Sequence, residues 1–154
     1  MDILGIDCSS KAVNCVLIDK SKAWKYSFCL KSDARDMDLR LIELFGDFNK
    51  LIMNLSDIKF AVIENAIYLQ NVKATIGIAQ VISAVKVALS TKGIKFIGVD
   101  NKSWKKAVLG DGNASKDKIM DFALALWGKE NITSQDVADA SCIALWGVMR
   151  LEDG

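Results

Sequence analysis

At 154 residues, with 51% hydrophobic and 25% charged residues and a formal net charge of +1, the chain has the profile of one ordinary globular domain with a real core. It contains no histidine, which excludes a histidine general base, a histidine-liganded metal, a Ser-His-Asp triad and a phosphohistidine intermediate. Its three arginines, Arg35, Arg40 and Arg150, leave little for bidentate base readout or an arginine-clamped site.

The first third reads as three strands, residues 2–7, 12–18 and 22–30, joined by turns short enough for an antiparallel meander. Residues 36–54 place Leu39, Leu41, Ile42, Leu44, Phe45, Phe48, Leu51 and Ile52 at the spacing of an amphipathic helix. A fourth strand at 58–64 has helical patterns on both sides, which implies parallel pairing with the first. The longest helical pattern covers 70–91 and stops at Lys92-Gly93; a fifth strand follows at 94–99. Helices over about 101–108, 115–127 and 135–149 complete the chain, and Asn131-Ile132-Thr133-Ser134 offers the last one an N-cap. This is the order of an α/β fold: a five-stranded mixed sheet, three antiparallel strands then parallel additions, flanked by helices. One domain spans 1–154, without repeats, low-complexity tracts or linkers.

No apolar run approaches the roughly 20 residues of a membrane span, because the richest stretch, 76–89, is interrupted by Gln80, Ser83 and Lys86. The N-terminus enters a strand pattern directly, with no signal peptide. Cys8, Cys15, Cys29 and Cys142 lack C-x-x-C spacing and sit in apolar patterns, as small hydrophobes of a reducing compartment. The expectation is a soluble cytoplasmic protein with no membrane partner. Helix 70–91 carries more apolar positions than one buried stripe needs, which suits either a dimer contact or a helix sandwiched in the core.

Four acidic residues stand out by position. Asp7 closes the strand Ile3-Leu4-Gly5-Ile6-Asp7, and Glu64 closes Phe60-Ala61-Val62-Ile63-Glu64. Asp136 and Asp139 open the last helix three residues apart, so both carboxylates share one helix face. A carboxylate at the end of a buried strand is costly unless its charge is compensated. If the four converge, a pair of divalent cations is the natural compensation, and the chemistry is phosphodiester hydrolysis. Taken singly, Asp7 reads more readily as a turn residue capping nearby amides, and Asp136 as a first-turn carboxylate favoured by the helix dipole. Asp33, Asp36 and Asp38 are denser, but they fall on a loop and helix start, where a solvated face explains them. The basic segment runs from Lys92 to Lys118, with seven lysines against three aspartates. Within it, Trp104 lies beside lysine and reads either as a base-stacking surface or, by default, as core.

The combination Gly5-Ile6-Asp7, Ile63-Glu64-Asn65 and Asp136-Val137-Ala138-Asp139-Ala140 resembles the RuvC-type Holliday junction resolvases of the ribonuclease H-like superfamily. The resemblance extends over the whole chain and includes Ile78-Ala79-Gln80 on the long helix. It implies that Asp7, Glu64, Asp136 and Asp139 hold two Mg²⁺ ions per subunit, with Mn²⁺ able to substitute. It implies DNA contacts from Lys105, in Ser103-Trp104-Lys105-Lys106, and from Lys116, in Ala114-Ser115-Lys116. It implies that Ile67 and Tyr68, just after Glu64, belong to a loop that wedges into the junction core. It further implies a homodimer that cuts a four-way junction, or other branched DNA, by paired symmetric nicks. One departure concerns the loop after Asp7: Cys8-Ser9-Ser10-Lys11 replaces the family's Pro-Gly, and the chain has no proline. That loop and the compact length resemble phage-encoded members more than cellular ones, which would place the protein in a host cytoplasm. Competing readings are a RuvC-like nuclease of ribosomal RNA maturation, an inactive branched-DNA-binding module, and the actin-like ATPase fold. The last needs a second domain and glycine-rich phosphate loops that this sequence lacks.

Overall fold

The computed structural model describes residues 1–67 and 69–154. Strands β1 (Asp2–Cys8), β2 (Ala12–Asp19) and β3 (Trp24–Lys31) are followed by α1 (Met37–Asn54), β4 (Ile58–Glu64) and α2 (Val72–Thr91). Strand β5 (Lys95–Val99) and helices α3 (Asn101–Leu109), α4 (Lys116–Trp127) and α5 (Gln135–Asp153) complete the chain. The sheet order is β3-β2-β1-β4-β5, antiparallel from β3 to β1 and parallel from β1 to β5. The expected mixed sheet is therefore present, with β1 at its centre.

Local chemistry sets the boundaries. Asp36, Asn71, Ser115 and Ser134 each accept a hydrogen bond from the backbone amide three residues on and so cap α1, α2, α4 and α5. That role accounts for Asp36 without a site. Strand β3 begins at Trp24, later than position 22, because Lys22 adopts φ 72° in a turn closed on the carbonyl of Asp19. Helix α5 continues to Asp153, four residues past the expected end at 149.

Strand alternation splits the core in two. On one face Leu4, Ile6, Cys15, Leu17, Ala61 and Ile63 meet α1 and α2. On the other, Ile3, Val16, Ile18, Val62 and Val99 meet α5, with α3 and α4 packed beyond it. Helix α5 reaches the sheet almost backbone to backbone. A Cβ on Gly5 would collide with the carbonyl oxygen of Ala140 and the amide nitrogen of Ala144, and one on Gly147 would lie 2.6 Å from Val62 Cγ2.

Helix α2 has 20 residues and is long and apolar enough, by length and composition, to pass for a membrane span. That corrects the reading of 76–89 as too interrupted. Its packing explains the apolarity: Gly77, Val81, Ile82, Val85, Ala88 and Leu89 are buried against the sheet and α1. The surplus is only partly absorbed by the core, since Val72, Ile76 and Val87 remain exposed.

Candidate metal centre

Asp7 and Glu64 have the parity of Ile3, Gly5 and Val62, so both point to the α5 face of the sheet. They lie one residue beyond the paired Ile6 and Ile63, at the carboxyl ends of adjacent parallel strands. This end of an open α/β sheet is where such folds place ligands. The close seat of α5 on Gly5 then brings the first turns of that helix, with Asp136 and Asp139, over the same strand ends.

The electrostatics report the convergence. The Asp7 carboxyl is raised from 3.8 to about 8, first by burial and then by the charges of Glu64, Asp139 and Asp136. Asp139 is raised to about 6, mainly by burial; the Gln135 amide pulls it down, Glu64 pushes it up, and the Lys105 ammonium pulls it down. All four acids and Lys105 thus form one charge neighbourhood. Among the described residues, no group of three or more His, Cys, Asp or Glu side chains is arranged to hold a metal ion as it stands. Like charges hold carboxylates apart, and a divalent cation reverses that balance. The donor set itself suits Mg²⁺, which takes oxygen ligands and retains its own waters.

Neutral side chains grip two of the acids. Gln135 Nε2 donates to Asp139 Oδ1 at 3.0 Å from one helical turn away. The Trp104 indole N–H and Asn101 Nδ2 both donate to Glu64 Oε2, the latter at 3.2 Å. Trp104 is fully buried, which settles its reading: it is core and offers no face for base stacking. Sequence patterning identifies Trp104 as buried but does not say which acceptor its N–H meets; Asn101 and Gln135 carried no signal of their own. Across β1 from Asp7 stands Asn14, buried, with Oδ1 unpartnered among the described residues.

Of the remaining expected site residues that the structure describes, Lys105 is the one tied to this centre, through its charge on Asp139. The Lys105 ammonium sits 5.7 Å from the Trp104 ring centroid, within cation–π range. Lys116 is exposed at the first position of α4. Ile67 is 48% exposed in the segment after Glu64, and Tyr68 lies outside the described residues. The cysteines take no part: all four thiols are free, and burial pushes Cys8, Cys15 and Cys142 upward in pKa. Cys29 departs from the small-hydrophobe reading, because it is exposed on the outer strand β3. A groove of about 840 Å³ lies at the opposite end of the sheet, lined by Met1, Asp57, Lys59, Lys92 and Lys95, far from this chemistry.

Comparison with known proteins identifies the family and the fold. The family model described as crossover junction endodeoxyribonuclease RuvC matches residues 3–146. The enzyme of that name from Pseudoalteromonas atlantica is 26% identical over 146 residues, covering 93% of this chain and 84% of the relative. The one from Brachyspira hyodysenteriae is 35% identical over 111 residues, covering 72% and 68%. Among solved structures, Thermus thermophilus RuvC in complex with a Holliday junction substrate superposes with a TM-score of 0.85 at 16% identity, covering 100% of this chain and 96% of that one. The yeast mitochondrial Holliday junction resolvase gives 0.59 at 18% identity, over 98% and 80%. The structural likenesses establish the ribonuclease H-like fold, and the sequence matches establish more: the chain belongs to the RuvC family of crossover junction endodeoxyribonucleases.

Proposed function

We propose that the protein is a metal-dependent, structure-selective DNA endonuclease that resolves Holliday junctions by paired symmetric nicks. The observation that carries this reading is that Asp7 and Glu64, at the carboxyl ends of adjacent parallel strands, share one charge neighbourhood with Asp136 and Asp139 of the helix seated on Gly5. Such a cluster is unfavourable by itself and favourable around cations. Asp7, Glu64, Asp136 and Asp139 would hold two Mg²⁺ ions, with Mn²⁺ able to substitute. When bound, these ions supply an activated water and stabilise charge on the leaving oxygen of the phosphodiester. The chain's own residues do the rest. Asp7, on the central strand, is the most rigidly mounted of the acids. Lys105 and Lys116 hold the phosphate backbone as point charges, while Ile67 and Tyr68 contact the junction core.

Symmetric cutting needs two active sites, and the surface offers a place for a second copy. Leu39 and Ile42 on α1, and Ile76 and Val87 on α2, are 50%, 66%, 49% and 59% exposed. We assign this apolar face to a homodimer of cytoplasmic protein, in which the single nuclease domain of each copy cuts one strand.

The test is incubation with matched linear, flap and four-way-junction DNA plus Mg²⁺, alongside sedimentation of the wild type and Ile76→Asp. Paired symmetric nicks on the junction by a dimer are expected, with Ile76→Asp monomeric and unpaired in its cutting. Equal cutting of all three DNAs would reduce the reading to a nonspecific nuclease. Junction binding without any metal-dependent cutting would leave only a binding module.

A further inference from the structure

We infer that Trp104 and Asn101 are positioning residues for Glu64, fixing its carboxylate so that one oxygen is held by the protein and the other is presented to a cation. This rests on the endonuclease reading and adds to it a pair of residues outside the acidic set. Both donate to the same atom, Glu64 Oε2. Among the described residues, Glu64 Oε1 receives no hydrogen bond.

The geometry follows from the start of α3. Asn101 and Trp104 are three residues apart, so they share one face of its first turn. That turn is tied to the segment leaving β4. Asn65, the residue after Glu64, donates its backbone N–H to the Val99 carbonyl at 2.9 Å and its side-chain Nδ2 to Asp100 Oδ1 at 2.9 Å. Asp100 is the N-cap of α3, yet its side chain caps nothing within the helix, because it is engaged by Asn65. The strand end bearing Glu64 and the helix bearing its two donors are thereby held in register.

Burial makes the arrangement stringent. Trp104 is fully enclosed, so its indole N–H has no water to turn to and depends on Glu64 as acceptor. A Glu64 rotamer that turned Oε2 away would strand a buried donor. The carboxylate is consequently ordered before any cation arrives and loses little side-chain freedom on binding. Groups that orient metal ligands in this way typically change metal affinity by about 10- to 100-fold when removed.

The experiment compares wild type, Trp104→Phe, Asn101→Ala and Glu64→Gln. Phenylalanine keeps an aromatic ring in the core but loses the N–H together with part of the indole, whereas Asn101→Ala removes a donor and leaves Trp104 packed; a role confined to Trp104 packing therefore predicts a metal phenotype in Trp104→Phe alone. Mn²⁺ affinity by calorimetry, and the Mg²⁺ concentration giving half-maximal junction cleavage, should both weaken about tenfold in Trp104→Phe and Asn101→Ala. Cleavage should recover at saturating Mg²⁺. In ¹H–¹⁵N spectra, the four tryptophans give four indole signals. The one lost in Trp104→Phe should move when Mg²⁺ is added to wild type and stay still in Glu64→Gln. Metal affinity unchanged from wild type in both donor variants, or an indole signal of Trp104 indifferent to Mg²⁺, would overturn the positioning role while leaving the nuclease intact. Failure of the wild type to bind either cation would overturn both.

Discussion

On the face of the sheet covered by α5, Gly5 meets the helix backbone at Ala140 and Ala144 directly, and Gly147 lets the helix down onto the side chains of Ile3 and Val62. On the opposite face, α1 and α2 stand off on ordinary side chains such as Leu44, Phe48, Val81 and Leu89 and keep a surplus of apolar surface outside. The first face is short-range and stringent, and it ends in four carboxylates. The second is tolerant, and it ends in exposed isoleucine, leucine and valine. Rigidity is concentrated where charges must be held against their own repulsion. Apolar surplus is left where another molecule can cover it.

The largest test of this division removes a carboxylate. Asp7→Asn or Glu64→Gln should lower junction cleavage by at least about 10²-fold, the scale of losing one contact that stabilises transition-state charge. Junction binding measured by mobility shift should survive. Near-normal cleavage in either variant under Mg²⁺ would detach the stringent face from the chemistry.

Metal-free stability probes the same face without DNA. Asp7 and Asp139 have folded-state pKa values above the ordinary 3.8, at about 8 and about 6. Well below 3.8 each is neutral whether folded or unfolded, and no penalty exists. As pH rises the unfolded carboxyl ionises while the folded one resists, so the folded state loses stability progressively until about pH 8, where the penalty is complete. In EDTA, the wild-type Tm should therefore fall relative to that of Asp7→Asn between pH 5 and pH 8. Added Mg²⁺ should raise the wild-type value at pH 8. Parallel Tm curves for the two proteins would show that Asp7 is not held as the structure indicates.

Two glycines separate backbone packing under α5 from helix propensity on the open side of α1. Gly5→Ala forces a methyl against the α5 backbone and should destabilise by about 1–3 kcal/mol or more. Gly46, within α1, has open space where its Cβ would be, so Gly46→Ala should stabilise by about 0.5–1 kcal/mol through helix propensity alone. Denaturant midpoints at constant m-value check both. Equal and small effects would erase the distinction between the faces.

Much of the stringent face was legible in the sequence because strand geometry is periodic. Alternation along 3–7 and 60–64 puts Asp7 and Glu64 on the same side as Ile3 and Val62, and the i, i+3 spacing puts Asp136 and Asp139 together. Pattern fails where function depends on which atom meets which. Nothing local distinguishes the Gly5 that admits α5 from Gly46, which touches nothing. Likewise, a buried tryptophan is predictable, but an indole N–H aimed at a metal-ligand candidate 40 residues earlier is not. The apolar surplus of α2 was visible as composition; that Leu41 of α1 lines one groove with Ile76 and Val87 required the packing. The phage-like reading of the Cys8–Lys11 loop rests on the sequence alone.

The smallest predicted effect concerns Lys105, which belongs to the charge cluster and, under the proposed function, to the DNA surface. Its ammonium lies over the Trp104 ring and draws down the pKa of Asp139, so one side chain reports on phosphate and carboxylates together. A lysine that contacts a phosphate releases about one counterion, and its loss should reduce the log–log salt dependence of junction binding by about 0.9 for duplex arms. Lys105→Ala should show that reduced slope. It should also raise the Asp139 pKa further, because the attractive charge is gone while burial and Glu64 remain. A lysine serving only the acidic cluster would change the Asp139 titration and leave the salt slope untouched, and one serving only DNA would do the reverse. Junction binding across a salt series, with carboxyl titration by NMR in the metal-free protein, separates these cases. Both signals moving together is the outcome expected if α3 joins the metal centre to the DNA surface.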